Sequence, residues 1–348
     1  MVPSACILVY LSTYTRPMRN PFFLTLLALI IMLIVSLAIG SIFIPPEELW
    51  RLVIGTSDND TFRTILWNIR LPRTALIALI GAALAGSGAA YQGLFRNPLA
   101  DPYLIGVASG AGLGAIIAMS MEWPYTQLGL LAVPLAAFVA SLLTVYLVYT
   151  FAHIGRTIPT TNLILAGVAV SSFAVSMTSF LMLRSTSEVR RAIGWMLGGV
   201  SLVGWDVTLA LVPYLAIGMT ALVLTGYSLN LLQFGDDQAT QLGLNVRRAK
   251  FVIIVSASLV TAAAVSFAGI IGFVGLIVPH IVRLWWGVDY RRLIPLSILG
   301  GASVLLFADV LSRIVIAPQE LPVGIVTALA GAPFFLWVLR RAKNQGYW

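Results

Sequence analysis

Long apolar runs alternate with short polar segments along most of the chain. Each run has close to the ~20 residues that a helix needs to cross ~30 Å of hydrocarbon, and the run 272–286 is the shortest. The ten runs cover residues 22–43, 74–95, 103–121, 127–151, 160–183, 206–228, 250–267, 272–286, 293–312 and 321–339. This pattern predicts an all-α integral membrane protein with about ten transmembrane helices.

The composition is that of a chain with lipid as its solvent. Of the 348 residues, 59% are hydrophobic and 10% are charged, and the mean hydropathy is +0.96. Soluble domains carry about 25% charged residues because their surface must be hydrated. The run 22–43 exceeds the roughly 7–15 apolar residues of a signal peptide, so we expect an uncleaved helix there. Met1 and Met18 both remain candidate start sites.

The distribution of charge predicts the orientation. An even number of spans places both termini on one side of the membrane, and cytoplasmic segments are enriched in Lys and Arg. With the N-terminus inside, cytoplasmic segments hold 13 of the 21 basic residues and carry a net charge of +9, against −1 for the outer segments. We therefore expect both termini in the cytoplasm.

Several classes of function are disfavoured by the remaining polar residues. The net charge of +8 comes from basic residues that stand singly or in pairs between apolar runs, which is not the stripe expected for nucleic-acid binding. Cys6 is the single cysteine, so an internal disulfide and a multi-cysteine metal site are excluded. We expect His153 and His280, the two histidines, to have local structural roles rather than to bind metal.

Small residues recur at the spacing of helix packing. Gly81, Ala85, Ala89 and Gly93 lie four apart on one predicted span, and Gly106, Gly110 and Gly114 do so on the next. Such seams let helix backbones approach closely in lipid, and we expect tight packing within the subunit here. A short internal repeat is also suggested, because Gln92-Gly93-Leu94 before Pro98 is similar to Val274-Gly275-Leu276 before Pro279.

An energy source is missing from the sequence. It contains no GxxxxGK[ST] phosphate loop, so it does not bind a nucleotide by that motif. The spans hold almost no carboxylates of the kind that proton or sodium relays use, and no set of catalytic residues is assembled in them. We expect a transport protein rather than an enzyme, with its motor in a partner. A stand-alone secondary transporter or channel, or a membrane scaffold, remains the alternative.

Five motifs carry a resemblance to a known family. The longest is Gln92-Gly93-Leu94-Phe95-Arg96-Asn97-Pro98-Leu99-Ala100-Asp101-Pro102, running on to Gly106. The others are Arg70-Leu71-Pro72-Arg73, Gly272-Phe273-Val274-Gly275-Leu276-Ile277-Val278-Pro279-His280, Glu320-Leu321-Pro322-Val323-Gly324 and Gly331-Ala332-Pro333-Phe334. Their collinear order resembles that of the FecCD-type permeases, the membrane subunits of ABC importers for ferric siderophores, haem and cobalamin.

This resemblance implies a type II ABC importer in a bacterial or archaeal cytoplasmic (inner) membrane. It implies a homodimer, or a heterodimer of two such chains, with a pathway at the two-fold interface. It also implies two copies of a cytoplasmic ATP-binding subunit, which would bind ATP and Mg, and an external substrate-binding protein; no cofactor is expected in this chain. Which chelate is carried is not encoded in these motifs.

The resemblance and the topology together divide the chain. We expect a cytoplasmic tail (1–21), one transmembrane permease domain (22–340) with a cytoplasmic coupling segment (233–249), and a second tail (341–348). The coupling segment predicts a short helix with Asp236 and Asp237 in its first turn. Similar permeases dock their ATPase here, which implies a coupling surface at Gly235, Ala239, Leu242 and Gly243. An ordinary solvated loop is the alternative.

By motif position, Arg70, Arg73 and Arg313 match the outer arginines that receive glutamates of the binding protein in this family. Snorkelling to the headgroups is the alternative for such residues, and Arg313 stands at i,i+4 from Asp309, a spacing that favours pairing within one helix.

Two turns predicted on the cytoplasmic side carry small polar residues. Similar permeases close the inner end of the pathway at these positions, which implies one constriction at Thr160 and Thr161 and another at Asn97 and Leu99. The alternative is that Thr and Asn only cap helices, which is compatible with that role.

Overall fold

The computed structural model describes residues 20–121, 127–155, 158–184, 189–200 and 204–343. Cys6, Met18, Arg16, Arg19 and Arg156 lie outside these ranges, as do most of the two predicted tails.

The described part of the chain is built from helices. The first half contains α1 (Pro21–Ala38), α2 (Pro46–Val53), α3 (Asp60–Thr64), α4 (Leu71–Leu94), α5 (Val107–Met119), α6 (Gln127–Phe151), α7 (Thr160–Arg184) and α8 (Val189–Met196). A π-helical turn, Ile65–Arg70, joins α3 to α4 without a break. The second half contains α9 (Trp205–Leu224), α10 (Gly226–Leu232), α11 (Asp236–Gln241), α12 (Val246–Ala268), α13 (Val274–Trp286), α14 (Tyr290–Ile314) and α15 (Val323–Lys343).

Each of the ten apolar runs contains one apolar helix, and the run 206–228 also includes the start of α10; this confirms the all-α membrane prediction. Within the described ranges, seven helices are long and apolar enough to cross a membrane. Three predicted spans match shorter apolar helices: α5 (Val107–Met119), α13 (Val274–Trp286) and the apolar part of α15, Val323–Val338. Helices satisfy their own backbone hydrogen bonds, which is required where no water is present to do so. The chain is therefore a multi-pass membrane protein.

Helix α4 lies at the centre and packs against α14, α12, α13 and α9. Close crossings of α4 depend on glycine, one at Gly81 of the predicted seam and another at Gly88, which lies outside that seam. A Cβ on Gly81 would lie 2.3 Å from the carbonyl oxygen of Gly301 on α14, and one on Gly88 would lie 1.9 Å from that of Gly275 on α13. The absence of a side chain at these positions lets the backbones touch, which provides the contact that lipid does not drive.

The second predicted seam joins α5 to α6. A Cβ on Gly110 would lie 2.3 Å from Thr144 Oγ1, and one on Gly114 would lie 2.3 Å from the carbonyl oxygen of Ala136. Both predicted packing seams are confirmed.

The two segments that suggested a repeat also meet, since Gln92 Nε2 donates to the carbonyl oxygens of Gly275 (3.4 Å) and Leu276 (3.2 Å).

Several helices leave an apolar side without cover in the single chain. On α7, Leu165, Phe173 and Leu183 are exposed, and on α9 Leu209 and Ile217 are exposed. Large exposed apolar surfaces of this kind require lipid or another membrane subunit as their surroundings.

Candidate functional site

The predicted site residues form two groups at opposite ends of α4. Arg70 and Arg73 stand at its start and Asn97 follows its end. A helix rises 1.5 Å per residue, so the 24 residues of α4 separate the two groups by about 36 Å. This is the separation expected for sites on the two faces of a membrane. Following the orientation predicted from the sequence, we call the group of Arg70, Arg73 and Arg313 the outer cluster. The group at the other end, with Asn97, Leu99, Thr160, Thr161 and the coupling segment, is the inner cluster.

The outer cluster is centred on a buried carboxylate. Arg73 Nη2 lies 3.0 Å from Asp309 Oδ1, and Arg73 Nη1 donates to Glu320 Oε2 at 2.8 Å. Arg313 Nη2 lies 3.0 Å from Asp309 Oδ2 as an ion pair that lacks the direction of a hydrogen bond. The predicted i,i+4 pairing of Asp309 with Arg313 is therefore confirmed, with Arg73 as a second cation.

The other guanidinium groups of the outer cluster bind the end of α1. Arg70 donates to the carbonyl oxygens of Leu37 (2.6 Å), Ala38 (2.9 Å) and Ile42. Arg313 donates to that of Ile39 at 2.9 Å. The last carbonyls of a helix have no partner within the helix and carry partial negative charge, so cations there are favourable. These arginines hold α1 against α4 and α14.

The structure brings the three predicted docking arginines together, but it does not present them as free surface cations. The exposed fraction is 5% for Arg70 and 6% for Arg313, and the Arg73 side chain is 12% exposed. Each is occupied by groups of its own chain. Of the three, Arg73 approaches the surface most closely, through Glu320, whose side chain is 47% exposed.

In the inner cluster, the turn after α4 is closed by its own side chains. Asn97 Oδ1 accepts from the backbone N–H of Leu99 at 2.9 Å, so this side chain shapes the turn; Asn97 is exposed and Leu99 half-buried. Further on, Asp101 Oδ1 accepts from the N–H of Tyr103 at 2.8 Å. Burial raises the pKa of Asp101 to about 6, and that hydrogen bond offsets part of the rise.

The second turn of the inner cluster precedes α7. The carbonyl oxygen of Pro159 accepts from Leu163 N at 3.2 Å, and Thr160 and Thr161 form the first turn, with Thr161 exposed. Helix α7 then touches the loop that follows Asn97, since a Cβ on Gly167 would lie 2.2 Å from the carbonyl oxygen of Leu104. The two predicted gate turns therefore belong to segments that pack against each other, α7 and the loop after α4.

The predicted coupling helix is present as α11, Asp236–Gln241, preceded by Gly235 and followed by a left-handed Gly243 with φ of 87°. Leu244 N donates to the Ala239 carbonyl oxygen at 3.0 Å and Gly243 N to that of Thr240 at 2.9 Å. This pair of bonds is a Schellman motif, which needs a residue such as glycine at the left-handed position.

One expectation about this helix is wrong. The implied coupling surface includes both Ala239 and Leu242, but Ala239 is fully buried in the main core, so it is not part of any surface, whereas Leu242 is 60% exposed. The Schellman turn folds Leu244 back towards the core beside Ala239 and leaves Leu242, at the end of the helix, pointing away. Leu242 is therefore the predicted coupling residue that presents a large apolar side chain at the surface.

Polar side chains that the sequence analysis did not single out join the coupling segment to its surroundings. Lys250 Nζ donates to Asp236 Oδ2 (2.5 Å) and to the carbonyl oxygen of Ile158 (3.1 Å). Gln233 Nε2 donates to the carbonyl oxygen of Gly93 at 3.0 Å. Because Lys250 follows Arg247 and Arg248, the sequence analysis counted it only as one of the basic residues that indicate a cytoplasmic segment. Its position at the start of an apolar run was the one feature that could have indicated burial.

A further polar contact fixes α10 to α14. Asn230 Nδ2 donates to Asp289 Oδ1 at 2.6 Å, and Asn230 Oδ1 accepts from Tyr290 N at 2.9 Å. The Arg291 guanidinium, hydrogen-bonded to Asp289, holds the pKa of that carboxyl well below its usual range, so Asp289 is ionised and caps α14.

The histidines differ in their surroundings. His153 Nδ1 lies 2.9 Å from the carbonyl oxygen of Tyr149, a local helix contact, and His280 stands edge-on to Phe334 with ring centroids 6.5 Å apart. Within the described ranges no group of three or more His, Cys, Asp or Glu side chains is placed to hold a metal ion.

Comparisons with known proteins agree with this arrangement. The chain is 40% identical over 327 residues to a Bacillus subtilis ABC transporter permease, YvrB, covering 91% of this chain and 92% of the relative. It is 40% identical to the hemin transport system permease HmuU of Yersinia pestis (92% and 96% covered) and 39% identical to the vitamin B12 import permease BtuC of Klebsiella pneumoniae (95% and 96% covered).

A solved structure is similar over the same length. A metal-chelate type ABC transporter in an inward-facing conformation superposes with a TM-score of 0.81 at 30% identity, covering 92% of this chain and 98% of that one. The FecCD transport family matches residues 28–341, which span α1 to α15 almost completely. The chain therefore belongs to the FecCD transport family.

Proposed function

We propose that this chain is the permease subunit of an ATP-driven importer that brings a metal chelate into the cytoplasm. Membership of the FecCD family and the similarity to haem and cobalamin permeases support this assignment. The proposed assembly contains two permease subunits, two cytoplasmic ATP-binding subunits and an external substrate-binding protein. Both termini and α11 then lie on the cytoplasmic side.

The observation that carries the proposal is the form of the inner cluster. Leu242 projects from α11 with 60% of its surface exposed, as expected of a residue that enters a partner's pocket. Lys250, which pairs with Asp236 of α11, donates to the carbonyl oxygen of Ile158, and Ile158 precedes Thr160 and Thr161. Gln233, at the start of the coupling segment, donates to the carbonyl oxygen of Gly93, which precedes Asn97. A surface for a motor and the residues of a gate are thus parts of one connected structure.

The proposed cycle has three steps. The binding protein delivers the chelate to the outer face, and ATP closes the nucleotide-binding dimer below. The coupling segment then moves, and the two permease subunits rock so that the turns at Asn97–Leu99 and Thr160–Thr161 open or close. A weakly binding pathway suits this cycle because strong contacts would trap the cargo.

Docking of the binding protein at Arg70, Arg73 and Arg313 remains a prediction. Their burial supports a narrower version, in which Glu320 and Arg73 form the exposed edge while Arg70 and Arg313 hold the end of α1 beneath it. Charges at the rim of an interface steer the encounter and set orientation more than they add affinity.

Reconstitution tests the proposal. The chain is placed in vesicles with and without a nucleotide-binding subunit and a binding protein, and uptake of haem and of cyanocobalamin is measured with ATP or with a non-hydrolysable analogue. We expect uptake of at least one chelate that depends on ATP hydrolysis and on the added subunit. Equal uptake by the permease alone would contradict the proposal and favour a secondary transporter or channel.

A further inference from the structure

The Lys250 ammonium lies buried between the coupling helix and the second gate turn. Its side chain is 3% exposed, and Nζ donates to Asp236 Oδ2 at 2.5 Å and to the carbonyl oxygen of Ile158 at 3.1 Å. Asp236 is the first residue of α11, and Ile158 lies two residues before Thr160, where α7 begins. One cation therefore contacts both segments.

Burial makes this contact obligatory. A charged amine away from water is costly unless it is paired and hydrogen-bonded, so Lys250 cannot release either partner without replacing it. Ile158 is itself 4% exposed and is anchored in the main core. A displacement of α11 must therefore carry the Pro159–Thr161 turn with it, or take Asp236 away from an ammonium that is 3% exposed and has little water to replace it.

A second hydrogen bond leads from the same segment to the other gate turn. Gln233 Nε2 donates to the carbonyl oxygens of Gly93 and Leu229, both at 3.0 Å. Gly93 lies in the last turn of α4, four residues before Asn97. The Gln233 amide is neutral and makes a weaker contact than the ammonium. Lys250 is thus the stronger of the two contacts that join the region around α11 to the predicted gate turns.

We propose that Lys250 transmits the movement of the coupling helix to the turn at Thr160 and Thr161. It is a positioning residue that links the ATPase cycle to the inner gate through Asp236 and the Ile158 carbonyl. This role rests on the proposed function, because it requires a nucleotide-binding subunit docked on α11. Without Lys250, the motor would still bind and hydrolyse ATP, but its movement would no longer reach the gate.

The test follows the gate directly. In a Cys6→Ser background, Thr161→Cys is labelled with a membrane-impermeant thiol reagent in the reconstituted complex, with and without ATP and vanadate. The change in labelling rate reports movement of the gate turn, and ATP hydrolysis is measured in the same samples. Lys250→Met removes the ammonium while keeping an apolar stem of similar length. Arg248→Met is the matched control, since Arg248 is an exposed cation in the first turn of the same helix.

We expect Lys250→Met to hydrolyse ATP while its nucleotide-dependent change in labelling falls about tenfold. Arg248→Met should retain the change seen with the native lysine. A change of full size in Lys250→Met would overturn the assigned role and leave the proposed function intact. The absence of any nucleotide-dependent change in the unmodified complex would overturn the proposed function together with this inference.

A second variant covers failure of Lys250→Met to fold. Asp236→Asn changes a side chain that is 45% exposed and leaves the bond from Lys250 to the Ile158 carbonyl possible. ATP hydrolysis is measured in the same samples, and the change in labelling should fall by more than hydrolysis does. A full-sized change in Asp236→Asn would also overturn the role of the ion pair.

Discussion

Arg73 and Asp309 are 236 residues apart in the chain, yet Arg73 Nη2 and Asp309 Oδ1 are 3.0 Å apart in the structure. The Asp309 side chain is fully buried and the Arg73 side chain is 12% exposed. This pair joins the start of α4 to the last turns of α14, and Arg313 adds a second cation to the same carboxylate. The outer end of the molecule is therefore held together by one buried anion.

Replacing Asp309 should destabilise the protein strongly. Asp309→Asn leaves the buried Arg313 guanidinium without its ion-pair partner and leaves Arg73 with only the half-exposed Glu320, and breaking a buried pair in this way costs about 3–5 kcal/mol. The midpoint of thermal denaturation in detergent, followed by size-exclusion chromatography, measures the effect. Asp60→Asn is the control, because Asp60 pairs with Arg63 at the surface with 91% of its side chain exposed. An unchanged midpoint for Asp309→Asn would contradict the structural role.

The packing around individual glycines predicts a sharp difference between Gly88 on α4 and Gly112 on α5. Gly88→Ala should prevent correct packing, because the added Cβ would lie 1.9 Å from the carbonyl oxygen of Gly275. Gly112→Ala should leave the protein intact, because nothing lies within 4 Å of its Cβ. The yield of monodisperse protein after extraction compares the two. Similar yields would show that α4 and α13 do not cross at Gly88.

Leu242 should contribute to binding of the nucleotide-binding subunit. Burying a leucine in a partner's pocket contributes about 1.5–3 kcal/mol, so Leu242→Ala should weaken the complex about 10–150-fold. Binding of the ATP-binding subunit to the purified permease measures this effect. Leu209→Ala is the matched control, since Leu209 is 61% exposed on α9 and lies at its predicted outer end. Equal weakening by both variants, or by neither, would contradict a coupling role for Leu242.

Asp101 should make the stability of the native chain depend on pH. Its pKa is raised to about 6 by burial, above the value of about 4 for an unfolded aspartate, so the folded state binds the extra proton. Stability is therefore lost as pH rises from about 4 to about 6. Asp101→Asn keeps an oxygen for the N–H of Tyr103 and carries no charge, so it should raise the thermal midpoint at pH 7.5.

The pH series contains its own control. The advantage of Asp101→Asn should shrink as pH falls below about 6, because the native carboxyl becomes neutral there. A midpoint difference that is constant from pH 5 to about 8 would show that burial of the charge is not the cause.

The membrane-spanning helices were predictable because their signal is local. A run of apolar residues must enter lipid, and in lipid its backbone must form a helix, so length and composition suffice. The seam of α4 follows from similar logic, since spacing by four places Gly81 and Ala85 on the face where Gly301 of α14 crosses. The crossing of α13 at Gly88 lies outside that predicted series. The helix at Asp236–Gln241 was expected from the polar segment between two apolar runs, and the gate and coupling roles assigned to these segments remain predictions from the motifs.

What the sequence by itself determined is the all-helical membrane architecture, the order of the apolar helices and the family whose motifs the chain carries. What only the tertiary structure decided is which way individual side chains point. Ala239 faces the core and Leu242 faces outward although both belong to one short motif, and Lys250 is buried whereas Arg248 is exposed. The reason is physical: burial of a charge depends on partners such as Asp236 and Ile158, which are brought to it by packing between helices and not by any pattern along one of them.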